Sequence, residues 1–568
     1  MLETNLLYYG DNLDILRRYI PDESVDIVYL DPPFNSDRNY NVIFKNEAGR
    51  KSDAQLLAFE DTWHWGPSAE ATYAYLTNTA RNEGRIPETV STLIAALRKG
   101  IGENQMMAYL VEMSVRLVEL RRVMKQTGSL YLHCDPTASH YLKVILDGIF
   151  DADRFLSEIV WKRTSAHSSA NRPGPVHDVI LMYAKGLEPK WRPLFQPYDP
   201  DYVALFFEMK DPDGRRWKRM DLTGAGIRHG ATGLPWRGID VTAKGRHWGY
   251  PPDELDRLDA VGRIHWPHRE GGMPRLKQYL EDMPGVPLQD VWTDIRPIHN
   301  LATERLGYPT QKPEALLERI IASSSDPGDV ILDPFCGCGT ALIAAQKLGR
   351  SWIGIDITYL AIAVMRARLK DTFGLADVPV KGQPTEVEGA RQLAQSPEGR
   401  YQFQWWALGL VDAKPLGGIE KKGADRGVDG AISFTDKNGD LSQVLVSVKS
   451  GHVNSAMVRD LKGTIEREKA AIGLFVTLEE PTKEMKLEAD TAGLWRSDMW
   501  KRDYPRIQIL TIADLLSGKK PQLPPFVMPT YQQAPKLVAK ADQQGLFDSS
   551  HLEVAEAEPH DYVAENDS

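Results

Sequence analysis

Two apolar runs, each closed by an aspartate and proline, constrain this chain more than anything else in it. Val25-Asp26-Ile27-Val28-Tyr29-Leu30 leads into Asp31-Pro32-Pro33-Phe34, and some three hundred residues later Val330-Ile331-Leu332 leads into Asp333-Pro334-Phe335-Cys336-Gly337-Cys338-Gly339-Thr340. Both runs read as strands. Side chains that follow such a strand emerge at the carboxyl edge of the sheet, where open α/β folds bind their ligands. The second turn carries glycines and opens a helix at Ala341, so a ligand can approach its backbone closely and meet unpaired N–H groups. About twenty residues on, Gly354-Ile355-Asp356 ends the next strand with a carboxylate placed to bind ribose hydroxyls.

The surrounding pattern alternates strands and helices. Leu6-Leu7-Tyr8-Tyr9, Gly128 to His133, Glu158 to Trp161 and Asp178 to Tyr183 read as further strands, and residues 70–125 carry helical spacing. This order predicts an α/β fold with a doubly wound, mostly parallel Rossmann-like sheet. Between about 190 and 293 the sequence turns irregular and rich in Gly, Pro and Trp, which reads as an insert. A linker is expected at 372–400 and a second, smaller α/β domain at 401–518. The predicted boundaries are therefore 1–189 and 294–371 for the two parts of the main domain, 190–293 for the insert, and 519–568 for a disordered acidic tail.

Charge and cysteine usage narrow the function classes. The net charge is −10, but Ala541 to Ser568 holds eight acids and no Lys or Arg, leaving −2 for the rest. Lys210 to Lys277 holds fourteen Lys and Arg against nine acids, so a polyanionic partner remains open and belongs on the insert. Three cysteines, Cys134, Cys336 and Cys338, form neither a disulfide framework nor a zinc site. No secretory leader or membrane-spanning run stands out, so a cytoplasmic location is expected.

Together the two acidic-proline turns, with Gly10-Asp11-Asn12, Gly128 to Asp135, Trp161-Lys162-Arg163, His177-Asp178 and Tyr308-Pro309-Thr310-Gln311-Lys312-Pro313, resemble the β class of amino-group DNA methyltransferases. The resemblance covers most of residues 1–370. Its catalytic motif precedes its cofactor motif, the permuted order of that class. The resemblance implies S-adenosylmethionine as cofactor, held by Asp11, Lys312, Asp333, Phe335, Gly337, Gly339, Thr340 and Asp356. It implies that Asp31, Pro32, Pro33 and Phe34 act on an exocyclic base amine, with the insert recognising duplex DNA through residues such as Arg215, Arg216, Lys218, Arg219, Arg228, Arg237, Lys244 and Arg246. Trp217, Trp236, Trp248 and Trp266 are candidate stacking surfaces there. Asp rather than Ser at position 31 favours adenine N6 over cytosine N4. Methylation at cytosine C5 needs a cysteine nucleophile, typically following a proline, and Cys134 lacks that context. Glutamine methyltransferases of proteins place the cofactor motif first.

The last domain resembles the Mrr-like branch of restriction-endonuclease folds through Gly423 to Gly430 and Val444 to Lys449. Asp429 and Lys449 match a magnesium-dependent nuclease site. Ser447 stands where a carboxylate or amide ligand is expected, and a hydroxyl is a poor ligand for a hard cation. A bifunctional restriction enzyme therefore remains the alternative to a methyltransferase that works with a separate restriction subunit. In the tail, Gln543-Gln544-Gly545-Leu546-Phe547 resembles the peptide by which bacterial proteins dock on the sliding clamp. A homodimer is the expected assembly.

Overall fold

The computed structural model describes residues 2–525, apart from 34–39, 46–50, 60–62, 64, 165–172, 270–271, 300–301, 307, 309, 396, 417–427 and 437–440. Phe34, Gly423 to Gly427 and the Gln543 to Phe547 peptide lie outside the described residues. Among the described residues, no helix is long and apolar enough to cross a membrane.

The main sheet has nine strands: β1 (Leu6–Tyr9), β2 (Val25–Leu30), β3 (Met124–Cys134), β4 (Phe155–Lys162), β5 (His177–Ala184), β6 (Val291–Trp292), β7 (Val330–Asp333), β8 (Ser351–Asp356) and β9 (Val380–Lys381). Their order is β6-β4-β5-β3-β2-β7-β8-β1-β9, and all neighbours are parallel except where β5 meets β3 and β4. Because side chains alternate along a strand, each strand feeds both faces. Leu6, Tyr8, Val28 and Leu30 pack with helices Asn12–Tyr19, Gln105–Val123 and Pro136–Phe150, while Leu7, Tyr9, Ile27 and Tyr29 join helices Glu314–Ser324, Thr340–Lys347 and Tyr359–Phe373. Both faces are thus covered by helices, which is the doubly wound α/β arrangement.

Two segments differ from the sequence expectation. The insert ends one strand earlier than its span suggests, because Val291–Trp292 joins the main sheet beside Val160 and Trp161. Its own core is a small antiparallel sheet of Met209–Lys210, Arg216–Asp221, Ile264–His265 and Arg275–Tyr279. Of its candidate stacking tryptophans, Trp217, Trp236 and Trp248 are buried in the insert, and only Trp266 is exposed, stacked on Trp236. The expected linker is ordered at Val380–Lys381, where β9 pairs with Leu7 and Tyr8.

The last domain is a five-stranded sheet in the order Lys414–Pro415, Gly430–Thr435, Leu441–Lys449, Ile472–Thr477, Ile507–Thr511. Helix Pro397–Leu410 joins it to the main domain. Gln402 accepts hydrogen bonds from the Tyr9 hydroxyl (3.3 Å) and the Tyr359 amide (3.2 Å). Phe403, Trp405 and Trp406 are buried in a cluster shared by both domains.

Candidate active site

β2 and β7 are direct neighbours, with Ile331 opposite Ile27 and Leu332 opposite Val28. The two acidic-proline turns, distant in sequence, therefore emerge side by side at one sheet edge. A cavity of about 630 Å³ runs along that edge, within the roughly 300–1,000 Å³ usual for small-molecule sites.

On one side of Asp31 the cavity wall comes from the ends of β1, β7 and β8: Gly10, Asp11, Asn12, Phe335, Gly337, Asp356 and Thr358. Asp356 organises this half. Its Oδ2 accepts the Gly337 amide (2.9 Å), and its Oδ1 accepts the Thr358 amide and hydroxyl (2.8 Å each). Gly337 has φ +49°, in the left-handed region, and a Cβ there would press on the Tyr308 ring at 3.3 Å. Burial raises the Asp356 carboxyl above its ordinary range, although these hydrogen bonds pull it back. Asp11 caps helix Asn12–Tyr19 and pairs with Arg116 (2.8 Å), whose Nε holds Asn12 (2.7 Å); Asn12 in turn donates to the Pro334 carbonyl (2.9 Å). Arg116, on a helix far along the chain, is a site residue that no local motif marks.

Other residues expected at the cofactor lie behind this wall. Asp333 is buried and accepts the Phe335 amide (3.0 Å), so it shapes the turn; burial drives its carboxyl well above the usual range. Gly339 sits at φ +76°, and a Cβ there would meet Met365 at 2.8 Å. Thr340 is buried, its hydroxyl held by Arg368 (3.2 Å). None of these three lines the cavity.

On the other side of Asp31 the wall comes from Trp63 and from the ends of β4 and β5, with Trp161, Arg163 and Asp178. Asp31 stands at the junction, beside Pro32 and Pro33, and its carboxylate pairs with the Lys312 ammonium. The structure thus places Lys312, assigned to the cofactor by resemblance, on the Asp31 carboxylate. Beneath them runs a buried chain: the Tyr29 hydroxyl meets His133 Nδ1 (3.0 Å), and His133 Nε2 meets Asp178 Oδ2 (3.2 Å). Asp178 stays below the ordinary carboxylate range: burial pushes it up, but His133, Lys312 and Arg163 together outweigh that.

The Lys312 ammonium holds the Asp31 carboxylate in place. On the activity that the resemblance implies, Lys312→Met is expected to lower single-turnover methyl transfer roughly 10- to 100-fold, the value of one charge-assisted hydrogen bond, with Lys312→Arg retaining most of the rate. Equal rates for wild type and Lys312→Met would remove Lys312 from the site.

The nuclease-like site is closed. Asp429 Oδ1 accepts Gln404 Nε2 (2.8 Å), Oδ2 accepts the Val448 amide (2.6 Å), and Lys449 lies 3.5 Å away. Ser447 is buried. With a buried hydroxyl at the second ligand position and one carboxylate already bound to protein donors, the described residues make a poor ligand set for a magnesium ion. Cys134, also buried, has its thiol pushed well above the usual range by burial, unlike a nucleophile.

The chain is similar to several known proteins. The chain is 38% identical over 263 residues to the type II methyltransferase M.EcaI of Enterobacter cloacae, covering 46% of this chain and 57% of that protein. It is 26% identical over 357 residues to the Mod subunit of the type III restriction-modification enzyme StyLTI of Salmonella typhimurium, covering 61% of this chain and 50% of that subunit. The chain therefore spans about half the length of these curated relatives. Among solved structures, the M1.HpyAVI–SAM complex superposes over 64% of this chain and 97% of its own at 14% identity, with a TM-score of 0.29. Residues 419–517 match the model of NACHT-associated inactive restriction endonuclease 1, so the last domain is restriction-endonuclease-like. Residues 25–364, more than half of the chain and the span that holds both acidic-proline turns, match the N6/N4 DNA methylase model, and the chain belongs to that family.

Proposed function

We propose that this protein transfers a methyl group from S-adenosylmethionine to adenine N6 within a specific duplex DNA sequence, as the modification half of a restriction-modification system. The observation that carries the reading is Asp31, an ion-paired carboxylate at the junction of a cavity whose other half is organised by Asp356. Asp356 suits ribose hydroxyls, and the Gly337 turn with Phe335 forms the adjoining surface for the remainder of the cofactor. When bound, the cofactor supplies an electrophilic methyl on a positively charged sulfur, which departs as a neutral thioether. The Asp31 carboxylate and the Pro32 carbonyl accept the two N–H bonds of the target amine, drawing its lone pair out of ring conjugation and aiming it across the junction. As the N–C bond forms, Asp31 takes up the proton that the amine releases. No covalent enzyme intermediate is required, so positioning and electrostatics supply the rate. The base must leave the helix to reach this cavity.

Incubating the protein with duplex DNA and labelled cofactor, then digesting to nucleosides, tests the reading. N6-methyladenine is expected; N4-methylcytosine would reassign the base, and no labelled nucleoside would overturn the activity. The same incubation with magnesium is expected to leave the DNA intact, as the closed Asp429 site and the similarity to an inactive endonuclease model both argue. Breaks that vanish in Asp429→Ala would restore the bifunctional alternative. Sequencing the methylated DNA maps the recognition site.

A further inference from the structure

The half of the cavity beyond Asp31 contains a cation that the transfer chemistry does not use. Arg163 follows β4, which lies on the opposite side of β2 from the strands that build the Asp356 half. Its Nε is 3.3 Å from Asp178 Oδ1. That oxygen is buried and has no hydrogen-bond partner among the described residues, although Asp178 as a whole is only 3% exposed. The other Asp178 oxygen is fixed by His133, and His133 by the Tyr29 hydroxyl. The His133 ring also stands edge-on against both Tyr29 and Trp161. Side chains from β2 and β3, packed on Trp161 of β4, thus fix the one β5 carboxylate that faces the guanidinium at the cavity wall. Such a buried carboxylate, costly to desolvate, is retained here facing a side chain that is itself one-third exposed.

We propose that Arg163, positioned by the Tyr29–His133–Asp178 chain, donates a hydrogen bond to the ring nitrogen beside the target amine, N1 of the flipped adenine. The proposal rests on the reading of the cavity as a base-methylation site. Its chemistry follows from the base: once Asp31 and Pro32 take both N–H bonds of the amine, what remains on that edge is an acceptor, and a cationic donor is its complement. A guanidinium whose Nε side faces the carboxylate turns its terminal N–H groups to other partners. Thymine and guanine present an N–H at the corresponding position and would meet Arg163 donor to donor, so the contact also rejects wrong bases.

The test uses the full chain and a duplex carrying the mapped site, with the target adenine replaced by 1-deazaadenine, which keeps the amine but replaces N1 with C–H. Wild type is expected to lose roughly 10- to 100-fold in kcat/KM on this substrate, the value of a hydrogen bond to a charged donor. Arg163→Met is expected to lose a similar factor on ordinary adenine and to be nearly indifferent to the deaza substitution. Asp178→Asn is expected to retain only part of the N1 sensitivity, a readout that mere loss of folding would not produce. Because weaker pairing of the analogue eases flipping equally for all variants, the comparison between variants isolates the contact. If Arg163→Met weakens transfer but remains as sensitive to 1-deazaadenine as wild type, Arg163 contacts phosphate or plays a structural part, and the proposal fails. Failure of the underlying reading is distinct, since wild type would then yield no N6-methyladenine on the unmodified duplex.

Discussion

Asp31→Ala is expected to reduce methyl transfer by about 10³-fold in kcat, the upper range for removing one preorganised group that meets developing charge, while the cofactor dissociation constant stays within about threefold. The asymmetry follows from the sheet. Asp31 extends from β2, and the residues that organise the cofactor half extend from β1, β7 and β8 and are tied to each other through Asp356, Gly337, Asn12 and Pro334 rather than through Asp31. Removing the carboxylate also takes from the Lys312 ammonium its Asp31 partner. A cation there that Asp31 no longer balances repels the developing positive charge on nitrogen, so the loss exceeds that of one hydrogen bond. Single-turnover transfer together with calorimetric titration of the cofactor measures both quantities. Near-normal turnover by Asp31→Ala would show that another group accepts the amine.

Asp356→Ala should do the reverse, weakening the cofactor roughly 10- to 100-fold, equivalent to about 1.4–2.7 kcal/mol, with a smaller effect on transfer at saturating cofactor. This carboxylate binds the Gly337 amide and Thr358 at once, so its loss frees the glycine turn and, on the proposed reading, removes the ribose partner. Its titration adds a pH signature. Because burial raises its carboxyl, acidification protonates it before ordinary surface aspartates, and wild-type cofactor affinity should begin to fall at a correspondingly higher pH. The dependence should be flatter in Asp356→Ala. For fold stability the sign is opposite: a carboxyl raised in the folded state contributes most in acid, and that contribution is lost as pH rises through its folded value. A variant whose cofactor affinity equals wild type across this range would place the ribose elsewhere.

Much of this site was legible in the sequence because it is built from strand ends. Val25 to Leu30 and Val330 to Asp333 announce themselves as buried strands, and whatever follows a strand in a doubly wound sheet stands at the binding edge. What local pattern could not give is the sideways order of strands. That order places Asp31 between the Asp356 half and the Arg163 half, and it depends on β5 running antiparallel to β3, a long-range pairing with no signature in either segment. Arg116 and Trp63 join the wall for the same reason: each reaches the cavity from a segment remote from the acidic-proline turns. Position within a motif likewise did not tell which of its residues line the cavity: the tight turn buries Asp333, Gly339 and Thr340 while presenting Pro334, Phe335 and Gly337. The insert hid its sheet because several of its strands are only two residues long, below what periodicity can detect.

Helix Pro397–Leu410 sets where this molecule can be cut. Gln402 is fastened to Tyr9 and Tyr359, the residues flanking the Gly10 to Asn12 loop and the Asp356 to Thr358 turn, and Gln404 on the same helix is fastened to Asp429. A chimera that exchanges the last domain at residue 372, where the sequence alone puts the start of a linker, would therefore strip Phe403, Trp405 and Trp406 from their shared core and unpin both rims of the Asp356 half. A workable splice has to keep β9 and this helix with the methylase, and to begin the donor sequence no earlier than Asp412, the left-handed residue that ends the helical segment.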